Sequence, residues 1–142
     1  MSHGFVFCRK IDLETHDLPD HGRIFSEEMR AMAMPHEEVL CALQTSPLFE
    51  VYRPERVFMT DQWNIKSIDG RFETQLGHHV FHGDPSGVHY TYLHKVSGTP
   101  REEARLFLVA LGDAVGGTVV TEWFDPVTDE EAWSVRYILG LE

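Results

Sequence analysis

Apolar positions recur with the spacing of short strands over much of the chain. The segment GFVFCRKI at 4–11 is rich in phenylalanine and valine and predicts a first strand. Strand patterns dominate again from residue 48, where Pro54 breaks the segment 48–59 or places it at a sheet edge. The segment TVVTEWF at 118–124 predicts a last strand.

The strongest local signal is a hairpin centred on the Asp-Gly dipeptide at 69–70. QWNIKSI precedes this dipeptide and RFETQLG follows it, and both flanks alternate between apolar and polar residues. A two-residue turn places Lys66 opposite Glu73 and Trp63 opposite Leu76. One face then carries Trp63, Ile65, Phe72, Thr74 and Leu76, and the other carries Asn64, Lys66, Glu73 and Gln75.

Residues 84–87, Asp-Pro-Ser-Gly, supply the turn of a second predicted hairpin. If that loop closes directly, His82 faces His89 and Phe81 faces Tyr90 across the two strands. Together with the first hairpin, this pairing predicts an antiparallel meander.

The phase of the second hairpin decides which of its side chains are buried. Unbroken alternation from Phe72 carries His78 and His82 on the core side. A β-bulge at Gly77 reverses the phase and turns three aromatic residues inward instead, namely Phe81, Tyr90 and Tyr92. We favour the bulge, because these rings carry much more apolar area to bury. On that interpretation His82 and His89 form an exposed strip.

Residues 100–115 carry the clearest helical pattern. Thr99 is expected as the N-cap and Pro100 as the first helical residue, and Glu102 completes a capping box with Thr99. The apolar stripe recurs at spacings of three and four and comprises Ala104, Phe107, Leu108, Leu111 and Val115. This stripe is expected to cover one face of the sheet.

Three further helices are predicted from their caps and acidic first turns. The first covers 26–34, from Ser26 as the N-cap to an interruption at Pro35. Pro35 opens a second helix over 35–44, and Thr128 caps a third in the last part of the sequence. Helices and strands together predict an α+β class, an antiparallel β-meander of about five to six strands with helices packed on one face.

The length and the even composition predict one globular domain over residues 1–142, since no linker, repeat or low-complexity segment divides the chain. The pattern leaves one alternative open. The free edge of the meander is covered either by the strand 4–11 or by another subunit.

Composition and charge narrow the classes of function. Hydrophobic residues make up 42% of the chain and no apolar run reaches the length of a membrane span, so a soluble protein is expected. The first residues lack the basic region and cleavage site of a secretory signal, which favours a cytoplasmic location. With 23 Asp and Glu against 12 Lys and Arg, the net charge is −11. Such a surface repels nucleic acids and anionic membranes and attracts basic partners.

The two cysteines, Cys8 and Cys41, are expected to be reduced and buried, because no secretory signal directs the chain to an oxidising compartment. Cys41 shares a predicted helix with Val39, Leu40 and Leu43, which favours a structural thiol over a nucleophile.

A metal site at the second hairpin is the alternative chemistry. If directly opposed, His82 and His89 would have Cβ atoms about 5 Å apart, close enough for two imidazoles to bind one zinc ion. His78 cannot share that ion with His82, because four residues along a strand span about 13 Å. A third ligand would come from Asp84 or elsewhere, and no metal motif accompanies the pair. No cofactor is predicted, and zinc at His82 and His89 is the alternative.

Acidic and large aromatic residues concentrate where the last strand ends. The carboxylates are Glu122, Asp125, Asp129, Glu130 and Glu131, and the aromatic residues are Trp123, Phe124 and Trp133. Charge can steer a basic partner and an exposed ring can anchor it, so the five carboxylates and Trp123 form the predicted partner-binding surface. The structural alternative is that residues 129–131 serve a helix N-terminus and that Trp123 or Phe124 belongs to the core.

These observations predict a small acidic cytosolic binding protein that neutralises a basic protein partner, as bacterial antitoxins and toxin-immunity proteins do. Catalysis is not favoured, since the chain contains no G-x-S-x-G, phosphate-loop or dinucleotide motif. The alternative is a small metal- or ligand-binding enzyme that uses the histidine-rich hairpin 78–94.

Overall fold

A computed structural model describes residues 4–10, 22–24, 32–55, 62–80, 89–97, 101–125, 127 and 138. Within these residues the chain forms two α-helices and eight β-strands, which confirms the predicted α+β class. The helices are α1 (His36–Thr45) and α2 (Arg101–Val115). The strands are β1 (Gly4–Arg9), β2 (Gly22–Arg23), β3 (Phe49–Tyr52), β4 (Trp63–Ser67), β5 (Glu73–Val80), β6 (His89–Ser97), β7 (Gly117–Thr121) and β8 (Trp123–Phe124).

Six strands form one antiparallel sheet in the order β3-β4-β5-β6-β1-β7, and β2 pairs with β8 in a separate two-stranded sheet. The strands β3 to β6 form the predicted meander. The strand β1 lies between β6 and β7 and pairs with both, so the first strand of the chain covers the edge of the meander that the sequence pattern left open. None of the helices in the described residues is both long and apolar enough to cross a membrane.

The register of the first hairpin, between β4 and β5, is as predicted. Trp63 pairs with Leu76, and Lys66 pairs with Glu73. Burial agrees with the predicted faces as well, since Ile65 and Leu76 of the apolar face are fully buried. Local turn chemistry and alternation are therefore sufficient to fix this part of the sheet.

The turn of this hairpin spans four residues, 68–71, where two were predicted. The Ser67 amide donates to the Phe72 carbonyl oxygen at 2.9 Å, which closes the ladder one pair earlier. The Gly70 amide donates to the Ser67 carbonyl oxygen at 2.9 Å, and Gly70 has a φ of 76°. Glycine suits this left-handed conformation because it has no Cβ. The predicted and observed loops share a centre, so the register does not change.

The second hairpin, between β5 and β6, has a register that differs from the prediction. Val80 pairs with His89, so the prediction that His82 faces His89 is wrong by two residues. A buried pair, Leu76 and Leu93, lies in the same ladder and fits the observed register. A shift of two residues keeps every side chain on its own face, so alternation alone cannot detect it.

The predicted bulge at Gly77 is wrong as well. Gly77 pairs regularly with Tyr92, and the irregularity in this ladder lies between Glu73 and Gln75. The buried side chains before Gly77 alternate without interruption and are Phe72, Thr74 and Leu76. Residues 81–88 lie outside the described part of the chain, and so do the side chains predicted to turn inward, those of Phe81, Tyr90 and Tyr92.

Both helices pack on one face of the sheet, which we call the helix face, as predicted. The Phe107 ring of α2 stacks on Phe72 with ring centroids 5.2 Å apart and meets the edge of Phe49 at 6.0 Å. In α1 the buried residues are Val39 and Leu43, four positions apart and therefore on one side of the helix. Four members of the predicted α2 stripe are buried, namely Ala104, Phe107, Leu108 and Leu111. Thr99 and Pro100, the predicted cap, lie outside the described residues.

The opposite face, here called the outer face, is covered at one end of the sheet. The register places Phe5 beside Leu93 on the helix face, so alternation places Val6 and Cys8 on the outer face. All of these β1 side chains are fully buried, and β7 is buried along its whole length. Ile24 and Phe124, next to or within the two-stranded sheet, are buried in the same core.

The segment after residue 31 extends the pairing of β1. Ala33 forms a bridge with Cys8, and the Met34 amide donates to the Phe7 carbonyl oxygen at 3.0 Å. The predicted helix 26–34 is therefore wrong in its last residues, because their backbone groups bond to a strand. Residues 25–31 lie outside the described part of the chain, as does the predicted terminal helix apart from the buried Ile138.

Candidate functional site

The predicted partner-binding surface is centred on β8. Trp123 is 57% exposed, whereas its neighbour Phe124 is 5% exposed. Successive side chains of a strand point to opposite sides, so burial of Phe124 turns Trp123 outward. The sequence left open which of the two rings belongs to the core, and the structure assigns Phe124 to the core.

The strand β8 is held in place by β2. Arg23 pairs with Trp123 and Gly22 pairs with Phe124. The Ile24 amide donates to the Glu122 carbonyl oxygen at 2.8 Å, which continues the ladder by one residue. The backbone around Trp123 is therefore fixed by a paired strand, and an exposed ring on a paired strand loses less freedom on binding than one on an open loop.

Two of the predicted carboxylates are close to Trp123 in sequence. Glu122 and Asp125 are both partly buried. An Asp125 carboxylate oxygen accepts a hydrogen bond from the Val127 amide at 2.9 Å, which forms a tight turn after β8. Val127 is 89% exposed, so a second apolar side chain lies close to Trp123 in sequence. The remaining predicted residues, Asp129, Glu130 and Glu131, lie outside the described part of the chain.

A polar network on the outer face of β3, β4 and β5 is the feature that sequence reasoning missed. The Tyr52 hydroxyl donates a hydrogen bond to the Glu73 carboxylate. The Asn64 amide nitrogen donates to the same carboxylate oxygen at 3.3 Å, and the Gln62 amide donates to Asn64 at 2.8 Å. The hydrogen bond to Glu73 is the main cause of a raised pKa for Tyr52.

One cation, Lys66, lies at the edge of this network. The Lys66 ammonium lies 3.3 Å from the Glu50 carboxylate and 5.6 Å from the Tyr52 ring centroid. On the helix face of the same strands, the Arg53 guanidinium lies 4.2 Å over the Trp63 ring. Ion pairs and cation–π contacts at exposed sites contribute little to stability, about 0–1 kcal/mol each. Such contacts mainly restrict the side chains that take part in them.

The histidine hairpin holds no assembled site in the described residues. His89 lies opposite Val80, and His82 is outside the described part of the chain. Among the residues that the structure describes, no group of three or more His, Cys, Asp or Glu is arranged to hold a metal ion. The zinc alternative therefore loses the direct opposition of His82 and His89 on which it rested.

The two cysteines have different environments. Cys8 is buried as predicted, its thiol donates to the Thr118 carbonyl oxygen at 3.4 Å, and burial raises its pKa to about 12. The prediction that Cys41 is buried is wrong, because this residue is exposed. Cys41 lies two positions from both Val39 and Leu43, and two positions in a helix correspond to a turn of about 200° toward solvent.

Comparisons with protein-family models, with curated proteins and with solved structures each gave no match to this chain.

Proposed function

We propose that the chain is a small acidic binding protein that neutralises a basic protein partner, and that the surface of β8 contacts this partner. The observation that carries the proposal is the exposed Trp123 on a paired strand, with two carboxylates, Glu122 and Asp125, close to it in sequence. The partner-binding residues are these three together with Asp129, Glu130 and Glu131.

Energetics support this choice of surface. Tryptophan is enriched among the residues that dominate binding energy, and a ring left in water is available to be buried by a partner. Carboxylates close to Trp123 in sequence, in a chain of net charge −11, attract a basic surface over several ångströms and raise the association rate. The same charge supports a role like that of antitoxins and toxin-immunity proteins, which occupy basic active sites or nucleic-acid grooves. A cytoplasmic location is part of this proposal.

The partner can be sought by affinity capture from the host lysate at low and moderate salt. We expect one stoichiometric basic protein whose retention falls as salt rises, because exposed charges are screened within about 10 Å at 0.1 M salt. Trp123→Ala is expected to raise the Kd about 30-fold, which corresponds to a loss of about 2 kcal/mol of binding free energy at a residue in the centre of the interface. Ile68→Ala is the matched control, since Ile68 is 67% exposed in a different part of the sheet.

Charge is tested with Glu122→Gln combined with Asp125→Asn, which removes two charges but keeps an oxygen at residue 125 for the Val127 amide. The association rate is expected to fall at low salt and to match the parent protein at high salt. The control is Glu50→Gln combined with Glu55→Gln, two exposed carboxylates outside β8. Equal losses in both double variants, or a Trp123→Ala variant that binds normally, would remove β8 as the contact surface.

A further inference from the structure

The strand β3 forms one edge of the six-stranded sheet, and β7 forms the other. The β7 side chains are buried along the whole strand, whereas Glu50 is exposed and Val51 and Tyr52 are only partly buried. Within the described residues β3 pairs with β4 alone. An edge strand presents a row of backbone N–H and C=O groups with which another chain can pair.

The hydrogen bonds inside the sheet show which backbone groups of β3 point outward. The Ser67 amide donates to the carbonyl oxygen of the residue before β5, so the backbone groups of Ser67 face β5. Backbone groups alternate in direction along a strand, so those of Lys66 face β3 and meet Glu50, its register partner. The groups of Phe49 and Val51 therefore point away from the sheet, and they form no hydrogen bond with another part of the described chain.

Pro54 ends β3 without blocking this edge. By alternation the position of Pro54 faces β4, so the N–H that proline lacks is missing on the inner side. Arg53 precedes a proline, which favours an extended backbone, and its backbone groups point outward like those of Val51. The Arg53 side chain lies over the Trp63 ring and donates to the Gln62 carbonyl oxygen at 3.2 Å, so it is held against β4. The outward backbone groups belong to Phe49, Val51 and Arg53.

We propose that β3 pairs antiparallel with β3 of a second copy of this chain, around a two-fold axis at Val51, so that two six-stranded sheets join into one. Val51 then pairs with its own copy, and Phe49 pairs with Arg53 of the second copy. Each such pair exchanges two backbone hydrogen bonds, which gives about six in total. This interface is separate from the β8 surface and does not depend on it.

The neighbouring registers are less favourable. An axis at Phe49 places Val51 opposite Pro47, which has no N–H to donate. An axis at Arg53 places two guanidinium groups directly opposite each other, and like charges in that position are destabilising. An axis at an even-numbered residue uses backbone groups that already bond to β4. The sequence of this edge therefore favours one register.

Charges on the outer face are complementary in this register. Glu50 comes opposite Tyr52 of the second copy, with Cβ atoms about 5 Å apart. In each copy the Lys66 ammonium lies 3.3 Å from the Glu50 carboxylate and 5.6 Å from the Tyr52 ring centroid. An ammonium beside Tyr52 is therefore also close to Glu50 of the second copy. Two carboxylates alternate with two ammonium groups across the interface, and no like charges lie directly opposite each other.

Apolar contacts add to the pairing, and the small size of the edge limits its strength. Leu48, which is 57% exposed, comes opposite Pro54 of the second copy, and Val51 meets its own copy on the helix face. Because β3 has only four residues, we expect a Kd on the order of 100 µM.

The net charge gives the dimer a characteristic dependence on salt. Two chains of net charge −11 repel each other at a distance, and salt screens that repulsion. The dimer is therefore expected to become tighter as salt rises. A basic partner at β8 is expected to show the opposite dependence, so the two proposals can fail independently.

Sedimentation equilibrium of the whole chain tests the proposal, from about 20 µM to about 1 mM protein and at about 0.05 M and about 0.5 M salt. We expect a monomer–dimer equilibrium whose Kd falls as salt rises. In NMR spectra, dilution is expected to shift the amide signals of Phe49, Val51 and Arg53. The amides of Glu50 and Tyr52 are expected to shift less, because they bond to β4.

Val51→Pro removes an N–H that only the second copy uses, because this group points away from β4. The dimer Kd is expected to rise at least tenfold, while the NMR spectrum of the monomer keeps its dispersion. Val51→Ala is the matched control, since it shortens the same side chain but keeps the N–H. It is expected to raise the Kd less than about threefold.

Charge variants test the same interface without a change of backbone. Glu50→Lys is expected to raise the Kd about tenfold although it makes the chain less negative, because it places like charges side by side. Adding Lys66→Glu restores the alternation and is expected to return the Kd to within about twofold of the parent value. Glu37→Lys makes the same change of charge at an exposed residue of α1 and is expected to leave the Kd unchanged or lower.

Three results would overturn the proposal. The first is a monomer at every concentration and in both salts. The second is a dimer that Glu50→Lys and Val51→Pro leave intact, and if Val51→Pro does not fold, the charge variants decide alone. The third is a dimer that is lost in Trp123→Ala, because this result would place the contact at β8.

Discussion

The two ends of the six-stranded sheet differ in how many faces they bury. At the β1 and β7 end, Val6 and Cys8 on the outer face are as completely buried as Phe5 and Phe7 on the helix face. At the β3 to β5 end the helix face is buried, but the outer face carries charged and polar side chains, including Glu50, Tyr52, Asn64, Lys66, Glu73 and Gln75. The same sheet is therefore buried on both faces at one end and on one face at the other.

The difference is visible in the sequence as two kinds of apolar pattern. β1 contains the continuous apolar run FVFC, and β7 contains VV within TVVT, whereas β4 and β5 alternate. Strands buried on both faces tend toward continuous runs, and strands with one solvated face alternate. Substitutions on the outer face should therefore have effects that depend on the end of the sheet where they are made.

The largest expected effect is that of a charge on the outer face at the buried end. Val6→Lys is expected to lower the free energy of unfolding by about 4 kcal/mol or more, because an unpaired ammonium is taken out of water. Gln75→Lys places the same charge on the same face at the polar end and is expected to change it by less than about 0.5 kcal/mol. Urea denaturation of both variants measures the difference, and comparable losses would contradict the division of the sheet.

Close backbone packing at the buried end gives the next largest effect. Gly117→Ala places a Cβ 2.3 Å from the Cys8 carbonyl oxygen, so strands must move apart, at a cost of about 2–3 kcal/mol. Gly70→Ala in the β4–β5 turn meets no atom within 4 Å, and only its left-handed φ of 76° is unfavourable. That change costs about 1 kcal/mol. Thermal denaturation should rank the two variants in this order, and the reverse order would show that β7 has room to shift.

The buried thiol of β1 predicts a dependence on alkaline pH. Burial raises the pKa of Cys8 from 9.0 to about 12. Between those values the unfolded thiol loses its proton while the folded thiol keeps it. The unfolded state is favoured as pH rises, and stability falls by about 1.4 kcal/mol per pH unit. Below pH 9 the contribution is constant.

Cys8→Ala should abolish this slope, and Cys41→Ala should retain it, as measured by urea denaturation from pH 8 to 11. If the slopes of the two variants agree, Cys8 is not shielded from water in the folded protein.

The smallest expected effect is in the polar network. Tyr52→Phe removes the hydrogen bond to Glu73 but keeps the ring, and a half-buried bond of this kind contributes about 1 kcal/mol or less. The side chains at this position lie on an open face, so water can replace the lost donor. Urea denaturation should detect at most a small shift in midpoint, and a loss above about 2 kcal/mol would show that this face is covered.

The sequence predicts those parts of the fold whose contacts are local. The β4–β5 register follows from a turn and two alternating flanks, and the α2 stripe from the spacing of its apolar residues. The sequence pattern could not predict the pairing of β1 with β6 and β7, because this pairing joins residues far apart in the chain. The wrong pairing of His82 with His89 has another cause. A register shift of two residues leaves every side chain on the same face, so the alternation pattern does not reveal it.

The candidate site was predictable in composition but not in geometry. The aromatic and acidic residues around Trp123 are evident in the sequence, yet the choice between Trp123 and Phe124 depends on which side of β8 meets the core. The Tyr52–Glu73 contact was not predictable, since it crosses β4 and needs the β3–β4 register, which the irregular segment after Pro54 conceals.

The central position of β1 has a consequence for synthesis. Phe5 pairs with Leu93 on one side and with Thr121 on the other. At about 5–20 residues per second, the ribosome takes on the order of 10 s to reach the second partner after the first strand has been made. Throughout that time FVFC lacks at least one of its two neighbours in the sheet. The segment FVFC, which the folded protein buries completely, therefore stays without its full set of partners until almost the whole chain has been made.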